Sequence, residues 1–295
     1  MKNILFFLFI SIQLFSQKIE FKGKLVDSKT QDPVVYANIS FLNSNKGISS
    51  NEEGTFSMNL NEKYLEFKVH VSCLNYKDTL VFAKDLYKKT LFLKSLNIVL
   101  DEITLTKRIE KSVVLGEVKS SVEGVHTSGM RMLAKYFPRD KRVSCCSYLE
   151  TLEIHFSKRN AHRKKAKFRI RVFTKDNETG LPKEDILNIN LPVEIKEGQK
   201  ITTIDISNYN LEMPENGVFI AFEKLFIPFN EYGENNKATE NEFYYAPIIG
   251  YAKYSKKDRN DNFYLHTKGK WQLSPLNRIK EMKKYAPAIS LTLSN

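Results

Sequence analysis

The 295 residues, 42% of them hydrophobic, are enough for about two domains with cores of their own. Lys and Arg number 46 against 34 Asp and Glu, a formal net charge of +12, which favours acidic partners such as anionic lipid or acidic polysaccharide. The three cysteines, two of them adjacent, exclude a disulfide framework.

The chain opens on Met1-Lys2-Asn3, followed by an apolar run from Ile4 to Leu14 and a small residue, Ser16, before Gln17. One positive charge, a short apolar stretch and a small residue make a secretory signal over residues 1–16. The run is well short of the ~20 residues that a membrane-spanning helix needs, and no later stretch is long and apolar enough for one. With no Cys near the cleavage point, a lipid anchor is not expected. The expected location is the periplasm, outer membrane or cell surface, with peripheral membrane association compatible and nucleic acid not expected as a partner.

Aromatic and β-branched residues in short alternating runs predict an all-β protein. In the first domain, 17–100, Ile19, Phe21, Gly23 and Leu25 alternate with Lys and Glu as a half-buried strand. Asp27 to Asp32 is a polar turn. Val35, Ala37, Ile39 and Phe41 share a face after Pro33. Asn51-Glu52-Glu53-Gly54 turns the chain, with Gly54 suited to positive φ. Strands follow at Thr55 to Met58, Leu65 to Val71 and Leu91 to Leu100.

Within these elements lie Gly23, Asp27, Pro33, Tyr36-Ala37-Asn38-Ile39, Gly47, Asn51-Glu52-Glu53-Gly54-Thr55-Phe56 and Ser72-Cys73-Leu74-Asn75-Tyr76. In this order they resemble the carboxypeptidase-regulatory-like domain. The resemblance implies a transthyretin-like, seven-stranded β-sandwich in which Gly54 closes a turn, Phe56 plugs the core and Ala37 keeps the sheets close. It assigns no chemistry to any of these residues. Asn75 stands where the family commonly has Gly, a position Asn can fill in the left-handed region.

The junction Leu100-Asp101-Glu102-Ile103-Thr104-Leu105-Thr106 is similar to the segment that follows this sandwich in TonB-dependent outer-membrane transporters. A transmembrane barrel needs many amphipathic strands, for which too little chain remains. Residues 101–143 are read as a linker with some local order around Met130 to Phe137.

From 144 to 295 strands resume as a second, jelly-roll-like β-sandwich. Phe168, Ile170 and Val172 alternate with Lys167, Arg169 and Arg171, predicting three apolar side chains inward and three basic ones outward. In the later strand, Val218, Ile220 and Phe222 face opposite to Phe219, Ala221 and Glu223. Ser274-Pro275 suits the start of a short helix to Lys284, with Leu276, Ile279 and Met282 on one face. The strings Phe168 to Val172, Thr179-Gly180-Leu181-Pro182, Asp205-Ile206-Ser207 and Gly217 to Glu223 resemble jelly-roll domains of bacterial envelope proteins, some glycan-binding.

No string of a known nucleophile, phosphate loop or zinc helix occurs. His70, His126, His155, His162 and His266 lack a second ligand at metal spacing, so neither metal nor cofactor is expected. Asp176-Asn177-Glu178 reads as a plain turn rather than a calcium loop. Cys145 or Cys146 with His155 lacks an orienting partner for thiol chemistry. Adjacent cysteines rarely bridge each other, because disulfides want Cα atoms ~5.5 Å apart. Free thiols are expected, with a bridge from Cys73 to one of the pair left open.

The basic run Lys158 to Lys165, including Arg163 and Lys165, leads into the strand carrying Lys167, Arg169 and Arg171. Three basic side chains on one strand face can grip carboxylates or sulfates. Tyr244, Tyr245, Tyr251, Tyr254, Tyr264 and Trp271, later in the same domain, offer a sugar-stacking surface. The expectation is a non-enzymatic envelope module that binds an acidic or neutral glycan, peptidoglycan or an outer-membrane protein through Arg163, Lys165, Lys167, Arg169, Arg171 and Trp271. The alternatives are a hydrolase built on distant acids such as Glu223 and Asp205, and an accessory part of a TonB-dependent uptake system.

Overall fold

The computed structural model describes residues 18–96, 111–122, 132–157, 164–234, 243–253, 263–267, 269–274 and 285–295. The signal segment, the junction at 100–106, Arg163 with the run 158–163, and the helix expected at 275–284 lie outside the described residues. Among the described residues, α-helix is confined to one turn, Ala83–Leu86.

The first unit is a sandwich of seven strands: β1 (Lys18–Asp27), β2 (Asn38–Phe41), β3 (Gly47–Ser49), β4 (Thr55–Asn61), β5 (Lys68–Ser72), β6 (Thr79–Phe82) and β7 (Thr90–Leu93). One sheet runs β4-β1-β7 and the other β3-β2-β5-β6. The alternation of β1 puts Phe21 and Leu25 into the core. Phe21 packs its ring 5.3 Å from both Phe41 and Phe56. Gly54 has φ 72°, and a Cβ there would meet Leu25 O at 2.5 Å, so glycine closes this turn as the motif implied. Asn75 takes φ 68°.

The second unit holds β8 (Ser112–Leu115), β9 (Ser121–Val122), β10 (Met132–Phe137), β11 (Tyr148–His155), β12 (Ala166–Lys175), β13 (Pro182–Asp185), β14 (Pro192–Ile195), β15 (Ile201–Asp205) and β16 (Val218–Lys224). It continues with β17 (Glu231–Glu234), β18 (Phe243–Tyr245), β19 (Tyr251–Lys253), β20 (Phe263–Thr267), β21 (Lys270–Leu273), β22 (Tyr285–Pro287) and β23 (Ile289–Ser294). A seven-stranded sheet ordered β13-β12-β16-β10-β20-β21, with β14 also on β12, faces a four-stranded sheet ordered β15-β11-β23-β8. Phe168, Ile170, Val172, Ile220 and Phe222 from the larger sheet meet Leu152, Ile154, Ile289 and Leu291 from the smaller in one core. The chain passes repeatedly between the sheets, as in jelly rolls.

The linker expectation for 101–143 needs correction. β8 completes the smaller sheet beside β23, and β10 lies inside the larger one between β16 and β20. The pattern of β10 misled because both its faces are covered, so apolar residues do not alternate. Its one charge, Lys135, is buried and donates to Ile289 O at 2.6 Å.

The two units are joined through side chains as well as by the chain. Tyr36 clusters with Leu225 and Ile227. Ser49 N donates to Phe226 O at 3.1 Å, and Phe226 N donates back to Ser49 Oγ at 3.2 Å. Asn38 and Ser40, polar positions of β2 that alternation would give to water, are buried.

Candidate functional site

β12 alternates as predicted: Phe168, Ile170 and Val172 enter the core. The opposite face, however, is not offered to solvent along its length. Arg169 is fully buried, and its Nε and Nη2 donate to Glu223 Oε2 and Oε1 at 2.7 and 2.9 Å. Arg169 Nη1 reaches Asn190 Oδ1 at 3.1 Å. Glu223, also fully buried, is placed by the β12–β16 register directly opposite Arg169. It takes a further hydrogen bond from Asn38 Nδ2 of the first unit and lies 3.6 Å from Arg171 Nη1. Arg171 pairs with Asp185.

Burial pushes the Glu223 carboxyl up, but the charge and hydrogen bonds of Arg169, then Arg171 and Asn38, outweigh it and hold the group at about 2. Glu223 is therefore a carboxylate locked in its ionised form. Asp205, on β15 in the other sheet, accepts from Ser207 N and Oγ at 2.9 and 2.6 Å. Neither arrangement offers the poised proton donor that glycoside hydrolysis needs.

The other basic residues are likewise engaged or peripheral. Lys167 Nζ pairs with Glu52 Oε1 of the first unit at 2.7 Å and sits 5.0 Å from the Phe229 ring centre. Lys165 is exposed. Lys167 thus pairs with the first unit, and Arg169, being fully buried, is not part of an open basic strand face. The sequence did carry the signal: alternation puts Glu223, a lone acid in an apolar strand, on the outer face, and a buried carboxylate demands a cation.

Trp271 does converge with other rings. On the outer face of the larger sheet, Ala134 and Ala221 leave space over which Phe173 and Trp271 close, 5.5 Å apart. Phe219 lies 5.0 Å from Tyr136 and 5.3 Å from Tyr264. Tyr136, Tyr264 and Trp271 remain partly exposed, but the cluster is packed as a satellite core.

Sequence reasoning missed a cleft of ≈ 560 Å³ at the seam of the two units. Gly23, Ile48 and Phe56 of the first unit and Pro228 of the second give it apolar walls. Ser49, Asn51, Thr55 and Ser57 add hydroxyl and amide groups, and Lys22 and Lys88 add ammonium groups. Lys88 N donates to Lys22 O at 2.6 Å, so the two lysines share one wall. Glu20 pairs with Lys22 at 2.7 Å, leaving one carboxylate against two ammonium groups. The volume falls in the ~300–1,000 Å³ range of small-ligand sites. Its walls come from residues far apart in the chain, which no local pattern signals. Among the described residues, no group of three or more His, Cys, Asp or Glu is placed to hold a metal.

Residues 21–105 match the family model of the CarboxypepD_reg-like domain. Among solved structures, the clostridial cysteine protease Cwp84 after propeptide cleavage is 9% identical with a TM-score of 0.40, covering 94% of this chain and 71% of that one. The cysteine protease and lectin-like domains of Cwp84, a surface layer associated protein of Clostridium difficile, are 10% identical at TM-score 0.36, over 94% of this chain and 63% of that one. A membrane-associated protein of unknown function from Bacteroides fragilis is 10% identical at TM-score 0.21, over 94% and 98%. Likenesses this weak carry no argument. A search of the curated proteins finds no match. The seven-strand topology, the left-handed Gly54 and Asn75 and the family match agree: the first unit is a carboxypeptidase-regulatory-like domain, a generic β-sandwich module.

Proposed function

We propose that the mature chain is an exported binding module of the cell envelope, without chemistry of its own, that takes an acidic saccharide in the cleft between its two β-sandwich units. The observation that carries this reading is the composition of the cleft: apolar walls at Ile48, Phe56 and Pro228 beside Lys22 and Lys88. Apolar walls suit the faces of sugar rings, hydroxyl and amide groups suit their edges, and two ammonium groups suit a carboxylate or sulfate. The net charge of +12 draws anionic polymers toward the protein at long range. The basic strand supports the site indirectly, since Lys167–Glu52 and Asn38–Glu223 hold the two units that form the cleft.

A thermal-shift screen of the mature chain against acidic glycans, neutral glycans and peptidoglycan fragments tests the proposal. A ligand at a hundred times its Kd stabilises the folded state by ~2.7 kcal/mol. Acidic saccharides are expected to raise Tm, with the shift shrinking as salt is added. A shift with neutral glycans alone, or none with any saccharide, would sink the proposal.

A further inference from the structure

Cys145 and Cys146 are neighbours in sequence but not in environment: Cys145 is exposed and Cys146 is buried. They lie between the 3-10 turn Lys141–Val143 and β11. That turn is pinned by Asp140, which accepts Arg142 N at 2.9 Å and pairs with its guanidinium at 2.7 Å. Cys146 N donates to Val143 O at 3.1 Å, and Val143, Cys146 and Leu149 all enter the core. With the backbone held on both sides, the two Sγ atoms sit 2.9 Å apart. A disulfide bond, at ~2.05 Å, needs only a small further approach. Cys73 belongs to the core of the first unit.

The geometry points to Cys145 and Cys146 as a reversible dithiol–disulfide site, where the exposed thiol meets an external disulfide oxidant and the buried thiol completes the bridge. Cys145, as thiolate, attacks one sulfur of the oxidant. An S–S bond to Cys145 forms, the oxidant's own S–S bond breaks, and one thiolate leaves. Cys146 then gives up its proton and attacks Cys145 Sγ, expelling the second thiolate. Two protein thiols are oxidised, one disulfide is reduced to two thiols, and two electrons pass.

The order follows from access, since the oxidant can reach Cys145 but not Cys146. Burial, and then the hydrogen bond with Cys145, push the Cys146 thiol above its ordinary range, which also makes it the poorer first attacker. The bridge is a switch rather than a staple. Consecutive Cα atoms are ~3.8 Å apart, below the usual ~4.4–6.8 Å of disulfides, so the bond is strained and readily reduced. It also closes almost no chain, so it contributes little loop entropy.

The test is to treat the purified chain with glutathione disulfide, alkylate the remaining thiols under denaturing conditions and map the peptides. The expected wild-type result is joint loss of the Cys145 and Cys146 thiols with no glutathione retained, Cys73 still free, and full recovery with dithiothreitol. Cys146→Ser should retain glutathione on Cys145, and Cys145→Ser should take up none. A stable glutathione adduct on wild-type Cys145, a link between two chains through Cys145, or two thiols still free would overturn the inference. The wild-type map decides alone if Cys146→Ser does not fold.

Discussion

Arg169→Leu is the most informative single change. It removes the partner of Glu223 in a pair whose side chains are both fully buried and joined by hydrogen bonds of 2.7 and 2.9 Å. Breaking such a pair by deleting one charge costs about 3–5 kcal/mol, because the other charge stays buried. Glu223 keeps Arg171 at 3.6 Å and Asn38, which puts the expected cost near the low end, about 3 kcal/mol. At roughly 2–4 °C per kcal/mol for a unit of this size, Tm should fall by about 6–12 °C. Urea denaturation of wild type, Arg169→Leu, Glu223→Leu and the double variant gives the pair's coupling energy. The double variant should be clearly more stable than the sum of the single losses predicts. A single variant within about 0.5 kcal/mol of wild type, or strict additivity in the cycle, would show that Arg169 and Glu223 are not an energetically coupled buried pair.

The same pair governs acid behaviour. Glu223 sits at about 2 in the folded protein against 4.5 for the free group, so its contribution is fully present above pH 4.5 and is lost as pH falls toward 2. The loss amounts to about 3 kcal/mol, and acid titration of stability should show it in wild type but not in Glu223→Gln. Lys224 has the opposite sign: burial lowers it to about 8, so its charged form penalises folding, and the penalty is relieved as pH rises from 8 to 10.5. Lys224→Met should raise stability at pH 7 by up to about 3 kcal/mol and flatten that alkaline rise, as read from melting curves across pH. Asn38→Leu removes the first unit's donor to Glu223 at an expected cost of about 1–3 kcal/mol. Calorimetry should then show the two units melting further apart than in wild type, and an unchanged melting profile would count against the seam. At Gly23 a Cβ would stand 2.5 Å from Leu86 O and 2.8 Å from Lys89 O. Gly23→Ala should therefore cost about 1–3 kcal/mol by overpacking, measurable by urea midpoint.

The first unit was legible because its signals are local. Gly54, Asn75 and Phe56 occupy turns and a core position that a few neighbouring residues define, and the structure places each as the motif implied. The alternation of β12 was also legible, since period two is a property of the strand alone. What lies beyond a strand's outer face is not. Arg169 reads as a solvent-facing base until Glu223, on another strand, and Asn38, in another unit, are brought beside it. β10 was hidden for the converse reason, as a strand covered on both faces shows no period. The cleft needs Lys22, Phe56 and Lys88, which only the folded sandwich of the first unit brings together, and Pro228, which only the docking of the second unit adds.

Binding at the cleft is tested most directly by titrating the wild-type chain and a Lys22→Glu/Lys88→Glu variant with an acidic oligosaccharide by calorimetry, at low and high salt. Both lysines are on the surface, and because Lys22→Glu also removes the partner of Glu20, the melting curve of the variant is recorded alongside to show that it is folded. Wild type should bind saturably, with an affinity that weakens with salt, and the variant should not bind. Equal affinity for both proteins, or no heat of binding to wild type at either salt, would rule out the cleft as the saccharide site.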